Sequence, residues 1–312
     1  MIVLAGSASG IVRAERAGGA WKVERVLNGS DVRGLAVDAG TVYAGADGTG
    51  IWRSDDGGRT WKGAGLQEQH IRSICAAQGR IYVGTKPARA WVSPSGGAHW
   101  DALAPFPRWR SWFWWSPAEK PHTAYVQTLS VAPADPEILI SGIEAGALVR
   151  STDGGRTWSG HLRGASRDPH VVAFHPADSA WAYEGGGTGP AVSSDGGRTW
   201  RKVTEGLDRR YCWAVAADPA QPERWYVAAA PGPRRAHGQG HAGAAIFRAE
   251  NNGWTIVADD LPAMPLMLAS PAPSELVAVL ASGEVRVSRD SGGSWDTPAL
   301  ELGRTRTALI LS

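Results

Sequence analysis

One octet recurs along this chain and constrains its fold more than any other feature. Ser54-Asp55-Asp56-Gly57-Gly58-Arg59-Thr60-Trp61 returns almost unchanged at 151–158 and 193–200, and with small changes at 288–295. A degenerate copy at 93–100 keeps the paired glycines and the tryptophan but lacks the Asp, and weaker traces end at Trp21 and Trp254. The seven tryptophans are separated by 40, 39, 58, 42, 54 and 41 residues, and the stretch from Trp295 through the C-terminus and on from Met1 to Trp21 is 38 residues. The period therefore closes across the chain ends. A linear solenoid has no need of that; a ring does.

Within each period the apolar residues alternate in short runs between turn residues, the signature of strands. In the fourth unit the runs are 125–131, 138–141, 147–150 and 157–159, with Pro133-Ala134-Asp135-Pro136 as a turn between the first two. Four strands per unit at a period near 40 residues indicate an all-β fold, a seven-bladed β-propeller forming one domain over residues 1–312. The first unit begins at its second strand, 2–5. The run 307–311 is then a surplus inner strand, expected to complete the first blade and latch the ring.

Each part of the octet has a structural role. The glycines admit the positive φ of a tight hairpin, the Asp binds the backbone of its own turn, and the Trp packs between units. The pattern Ser-x-Asp-x-Gly-x-Thr-Trp resembles the Asp-box, or bacterial neuraminidase repeat. That repeat occurs in sialidases, sortilin-type receptors, xyloglucanase-type glycosidases and a photosystem II assembly factor. The resemblance implies a structural hairpin on the face away from any active site, and it leaves the activity open. Sialidases usually carry an Arg-Ile-Pro segment, absent here, and an arginine triad of which only Arg33 and Arg72 are assignable. Xyloglucanase-type enzymes use two propellers; this chain supplies one.

Composition excludes several classes. Lys and Arg total 32 against 30 Asp and Glu, a net charge of +2, too balanced for a nucleic-acid or membrane-surface protein. No 18-residue apolar run is present and the start does not read as a leader, so a cytoplasmic protein is expected. Cys75 and Cys212 read as core residues too far apart around the ring to pair.

The two long gaps hold insertions, 104–123 and 231–243, both expected on the face opposite the octets. The first contains Trp109, Trp112, Phe113, Trp114 and Trp115 with two arginines. It reads either as a stacking platform using Trp112, Trp114 and Trp115 or as a lid or homo-oligomer contact. The second offers Arg234 and Arg235 for an anion, and His237 and His241. A metal at the two histidines would need a helix, which the neighbouring glycines disfavour, so neither a metal nor a cofactor is expected.

Aligning the inner strands on their following turns gives one equivalent position, held by Arg33, Arg72, Gln127, His170, Trp213, Pro265 and Thr307. Two residues earlier stand Asp31, His70, Tyr125, Asp168, Tyr211, Ala263 and Thr305. Polar residues above an apolar channel line a ligand pocket, although the mouths of such channels are polar in any case. Candidate ligand contacts are Arg33, Arg72, Tyr125, Gln127 and Trp213. The ends of the second strands add Glu144 and Glu184. A binding propeller for a peptide, sugar or partner protein is the first reading. A glycosidase using Glu144 and Glu184, or one of them with Asp168, is the alternative, with a lyase using His170 as base and Tyr211 as acid as its variant.

Overall fold

The computed structural model describes residues 1–107, 120, 122–250 and 253–311. Among them the regular structure is 26 strands and one five-residue helix, Pro233–His237, so the chain is all-β. The strands form antiparallel meanders in chain order. The first comprises Ile2–Ser7, Gly10–Ala17 and Ala20–Val26, with Thr307–Leu311 on its inner edge. The second (Asp31–Asp38, Thr41–Asp47, Gly50–Ser54, Lys62–Gly63) and the third (His70–Ala77, Arg80–Lys86, Ala90–Ser93, Asp101–Ala102) join into one eight-stranded sheet through a single pairing of Asp47 with His70. The fourth is Val126–Ala132, Asp135–Ile143 and Ala147–Ser151; the fifth is Pro169–Phe174, Ala182–Gly186, Ala191–Ser193 and Arg201–Lys202. The sixth is Tyr211–Asp218, Gln221–Ala230, Ala244–Glu250 and Gly253–Leu261, and the seventh Pro265–Ala269, Leu276–Leu280 and Val285–Ser288.

The C-terminal strand pairs with the N-terminal one, Leu311 opposite Ile2 through to Thr307 opposite Gly6. Residues from the two ends of the chain thus share one sheet, and the N-terminal strand has no bare edge. The core is divided among the gaps between neighbouring meanders. One apolar cluster fills each gap, including the gap between the seventh meander (Val277, Val279) and the first (Val3, Ala5). The second strands are covered on both faces, which is why Thr41–Asp47 and Arg80–Lys86 bury five consecutive residues.

Each spacing tryptophan enters one of those gaps: Trp21, Trp61, Trp100, Trp158, Trp200, Trp254 and Trp295 each join the cluster shared with the preceding meander. Four indole N–H groups cross the gap to a carbonyl of that neighbour: Trp100 to Ala64 (2.7 Å), Trp158 to Ala104 (3.1 Å), Trp254 to Val203 (2.8 Å) and Trp295 to Val257 (2.7 Å). The ring buries apolar area and its one polar atom is satisfied.

The octet hairpin is held by its acid. Asp56 Oδ1 accepts the N–H groups of Arg59 (3.0 Å) and Thr60 (2.9 Å), and Oδ2 accepts the Thr60 hydroxyl (2.6 Å). Ser54 Oγ accepts the Gly58 N–H (2.9 Å) and donates to Asp56 (2.8 Å). Asp153, Asp195 and Asp290 repeat the arrangement. Donation from the Thr157 and Ser294 hydroxyls holds Asp153 and Asp290 down at about 2. Gly196 and Gly197 have φ 72° and 78°, and a Cβ on Gly197 would lie 2.4 Å from Ile140 Cδ1. The glycine is required by both conformation and space.

Two expectations change. The fourth and seventh meanders have three strands, not four. In the fourth, Arg150 N–H is taken by the Ser159 hydroxyl (2.9 Å) rather than by a ladder carbonyl. In the seventh, the outer segment makes one bridge, Val287 to Asp296, before Pro298, which has no N–H to donate. The second insertion also contains a helix. Its glycines flank the helix, and Pro233 at its first turn supplies the preset φ. Cys75 and Cys212 are free thiols, and burial raises both pKa values. No helix among the described residues is long and apolar enough to cross a membrane.

Candidate functional site

The register defines two faces. Asp31, at the start of an inner strand, lies opposite Asp47, at the end of the second strand; the third strand starts at that end (Gly50 opposite Ala46) and leaves at the other (Ser54 opposite Val42). The octets are therefore on the face opposite the entrances of the inner strands.

At those entrances six inner strands carry the same irregularity. The ladder skips one residue between Val32 and Gly34, Ile71 and Ser73, Val126 and Thr128, Pro169 and Val171, Cys212 and Ala214, and Pro265 and Met267. The skipped residues are Arg33, Arg72, Gln127, His170, Trp213 and Leu266. A bulge frees one residue from the pleat and re-aims its side chain. Five of the seven equivalent positions aligned from the sequence are these bulges; in the seventh meander the bulge is Leu266 rather than Pro265, and Thr307 is not bulged but pairs regularly with Gly6.

Five of the six bulged residues line one cavity of about 840 Å³. Its arginines are Arg25, Arg33 and Arg72 from the first three meanders, and Arg304 and Arg306 from the segment that leads into Thr307–Leu311. Among the described residues that line it, none is Asp or Glu, while Val12, Leu266, Leu302 and Trp213 supply apolar wall. Arg33 is held by Asp31 (2.8 Å) and Asp47 (3.6 Å), and Arg306 pairs with Asp31. The Arg72 guanidinium lies 4.5 Å from the centre of the Tyr125 ring. Arg25 and Arg304 have no acidic partner among the described residues. The cavity is thus a concave, half-apolar site with a surplus of fixed positive charge.

His170, the sixth bulged residue, is turned aside. Its Nδ1 donates to the Cys212 carbonyl (2.7 Å), and its ring packs on Trp213 (centroids 4.5 Å) and Tyr211 (4.7 Å). The other nitrogen, Nε2, lies 3.4 Å from Asp168 Oδ2. Ligand atoms of Glu144, Asp168 and His170 all fall within 4.8 Å of one another. Burial works against charge on His170, but the Asp168 hydrogen bond and the fields of Glu144 and Asp168 outweigh it and raise its pKa. Burial together with the same two carboxylates raises Tyr211, which keeps its proton and donates it to His237 Nε2 at 2.9 Å. Burial, then the charge of His170, lowers His237. Trp213 packs on His170 and His237 on Tyr211 and Trp213, and both Trp213 and His237 line the cavity.

Several candidates are not brought together. Glu184 is fully buried within the fifth meander, opposite Val172 and Ala191, and accepts the Ser166 N–H on both oxygens (3.0 Å each). Burial pushes it up to about 8 despite that bond. It does not pair with Glu144 across the mouth. Arg234 and Arg235 are exposed and outside the cavity; Arg235 binds the His241 carbonyl (3.2 Å). His241 faces Asp260 (2.8 Å) while His237 faces Tyr211, so the two histidines serve different partners. Trp112, Trp114 and Trp115 lie outside the described residues. Arg25, Arg304 and Arg306 escaped the sequence reading. The signal for the last two was the ring closure itself, which makes 302–306 the entrance to an inner strand.

No family model matches this chain, and no curated protein matches it. Solved structures do. It is similar to an ancestral GH74 enzyme (TM-score 0.64, 15% identity), covering 85% of this chain and 38% of that one. It is similar to YCF48 bound to D1 peptide (TM-score 0.64, 15% identity, 92% and 87% of the two chains). It is also similar to a chain of the nidogen/laminin complex (TM-score 0.55, 12% identity, 98% and 97%). These neighbours are β-propeller proteins, and the likeness is one of fold. This chain spans well under half the length of the GH74 enzyme.

Proposed function

We propose that this chain is a seven-bladed β-propeller, its octets acting as Asp-boxes, that binds an anionic ligand of peptide or acidic-sugar type in the arginine-lined cavity. The observation that carries this reading is the set of bulges. Bulging the same position of successive inner strands is an arrangement that aims side chains at a common point, and those aimed here include Arg33, Arg72, Gln127 and Trp213. Guanidinium groups recognise carboxylates and phosphates through paired N–H donors. Trp213, Leu266 and Tyr125 offer apolar contact between them. That YCF48 is bound to a peptide on the same fold is consistent with the peptide form of the ligand.

The glycosidase alternative has less support. It needs two carboxyl groups flanking a bond of the bound sugar. Glu184 is withdrawn into the core, and neither Glu144 nor Asp168 is among the described residues that line the cavity.

The test is a thermal-shift panel of acidic, neutral and basic peptides and of neutral sugars and uronic acids. The reading expects midpoints to rise with the acidic members, and the rise to shrink with added salt. Equal shifts with basic or neutral members would contradict it.

A further inference from the structure

We propose that Glu144, Asp168 and His170 form a binding site for one divalent first-row transition ion of the zinc or manganese kind. The site is independent of what the cavity holds.

The argument starts from the tautomer of His170. Its Nδ1–H is committed to the Cys212 carbonyl at 2.7 Å, so the lone pair of the neutral ring is on Nε2. That lone pair faces two carboxylates. Metal-binding histidines are oriented in this way, one nitrogen held by a backbone carbonyl and the other presented to the ion. An ion at this point would replace the second ring proton that the carboxylates otherwise favour on Nε2. Nε2 and Asp168 Oδ2 are 3.4 Å apart. Two ligands bound tetrahedrally at about 2.1 Å are separated by about 3.4 Å. The observed gap has the width that an ion between them requires, and the Glu144 oxygen is within 4.8 Å of both.

The surroundings are built rather than incidental. His170 is buried with 1% of its side chain exposed, and Trp213 and Tyr211 pack on its ring. Asp168 remains 37% exposed, which leaves a side for entry and for a water ligand. Its carboxylate occupies the space beside Gly187, where a Cβ would lie 2.1 Å from Oδ2. One imidazole with two carboxylates suits zinc or manganese better than calcium, which prefers oxygen alone. The ion would tie the end of a fourth-meander strand to the start of the fifth and back the Trp213 wall of the cavity.

The experiment uses the full chain, stripped with chelator and titrated with zinc chloride by calorimetry, with cobalt absorption spectra as a second readout. Asp168→Asn and Glu144→Gln keep the shape of the site; His170→Ala is checked by circular dichroism for folding. The expected result is one ion per chain for the native protein, binding weakened about tenfold or more in Asp168→Asn, and loss of the cobalt bands in both carboxylate variants. The proposal is overturned if the native chain binds no zinc or manganese, or if one equivalent binds unchanged in Asp168→Asn and Glu144→Gln, which would place it on exposed histidines such as His99.

Discussion

Glu184 is the buried acid that the ladder, not the ligand, controls, and replacing it by glutamine separates those roles. Its carboxyl is fully buried, holds the Ser166 N–H and is pushed by burial from an ordinary 4.5 to about 8. A carboxyl with a raised folded pKa keeps a proton that the unfolded chain has already released. Its contribution is complete below about pH 4.5, declines as pH rises through the window to about 8, and is constant above it. At 1.36 kcal/mol per pH unit, that window amounts to at most about 5 kcal/mol, and relaxation and water entry reduce it to about 2–3 kcal/mol. Glu184→Gln keeps an acceptor for Ser166 and has nothing to titrate. Urea denaturation at pH 5, 7 and 9 measures both proteins. The native chain should lose about 2–3 kcal/mol more than the variant between pH 5 and 9. The variant, whose extra N–H group lacks an evident acceptor, starts lower at pH 5 and overtakes at pH 9. Parallel pH profiles would refute the burial argument.

Two further perturbations test the ring. Trp200→Ala empties a gap-filling site that is 6% exposed and should cost about 3–5 kcal/mol, read as a lower denaturation midpoint; a change below about 1 kcal/mol would mean that the tryptophan does not hold the gap. Asp153 lies near 2 because the Thr157 hydroxyl and backbone N–H bind its anion. Its contribution is present above about pH 4 and is lost as pH falls toward 2, so Asp153→Asn should flatten the acid side of the stability profile; an unchanged acid limb would remove the octet carboxylates from the account.

The sequence made the ring legible because one tryptophan serves each gap. A residue that must fill every interface once per unit leaves a period, and Trp21 to Trp295 display it even where the rest of the octet has decayed. The equivalent positions Arg33, Arg72, Gln127 and Trp213 were legible for a related reason: each precedes its strand's exit turn by a similar distance, and the bulge falls at the same step. Glu144 and Glu184 looked alike because both close a second strand. They differ by three ladder positions: by register Glu184 matches Ser141, and Glu144 matches Gly187. Glu184 is within Ala182–Gly186, so its side chain must enter a covered sheet face, whereas Glu144 follows Asp135–Ile143 and is released from the pleat. The grouping of Glu144, Asp168 and His170 depends on contact between two meanders and on the bulge at His170, and periodicity carries neither. The helix Pro233–His237 was hidden by the glycines on either side of it.

The most direct measurement is the affinity of one acidic peptide for the native chain and for Arg72→Met, by calorimetry at low and high salt. Arg72 is a bulged residue of the cavity wall, and methionine keeps much of its apolar stem. The account predicts binding weakened about tenfold or more in the variant, with a shallower salt dependence. Equal affinity and equal salt dependence in the two proteins would contradict the assignment of the arginine-lined cavity as the binding site.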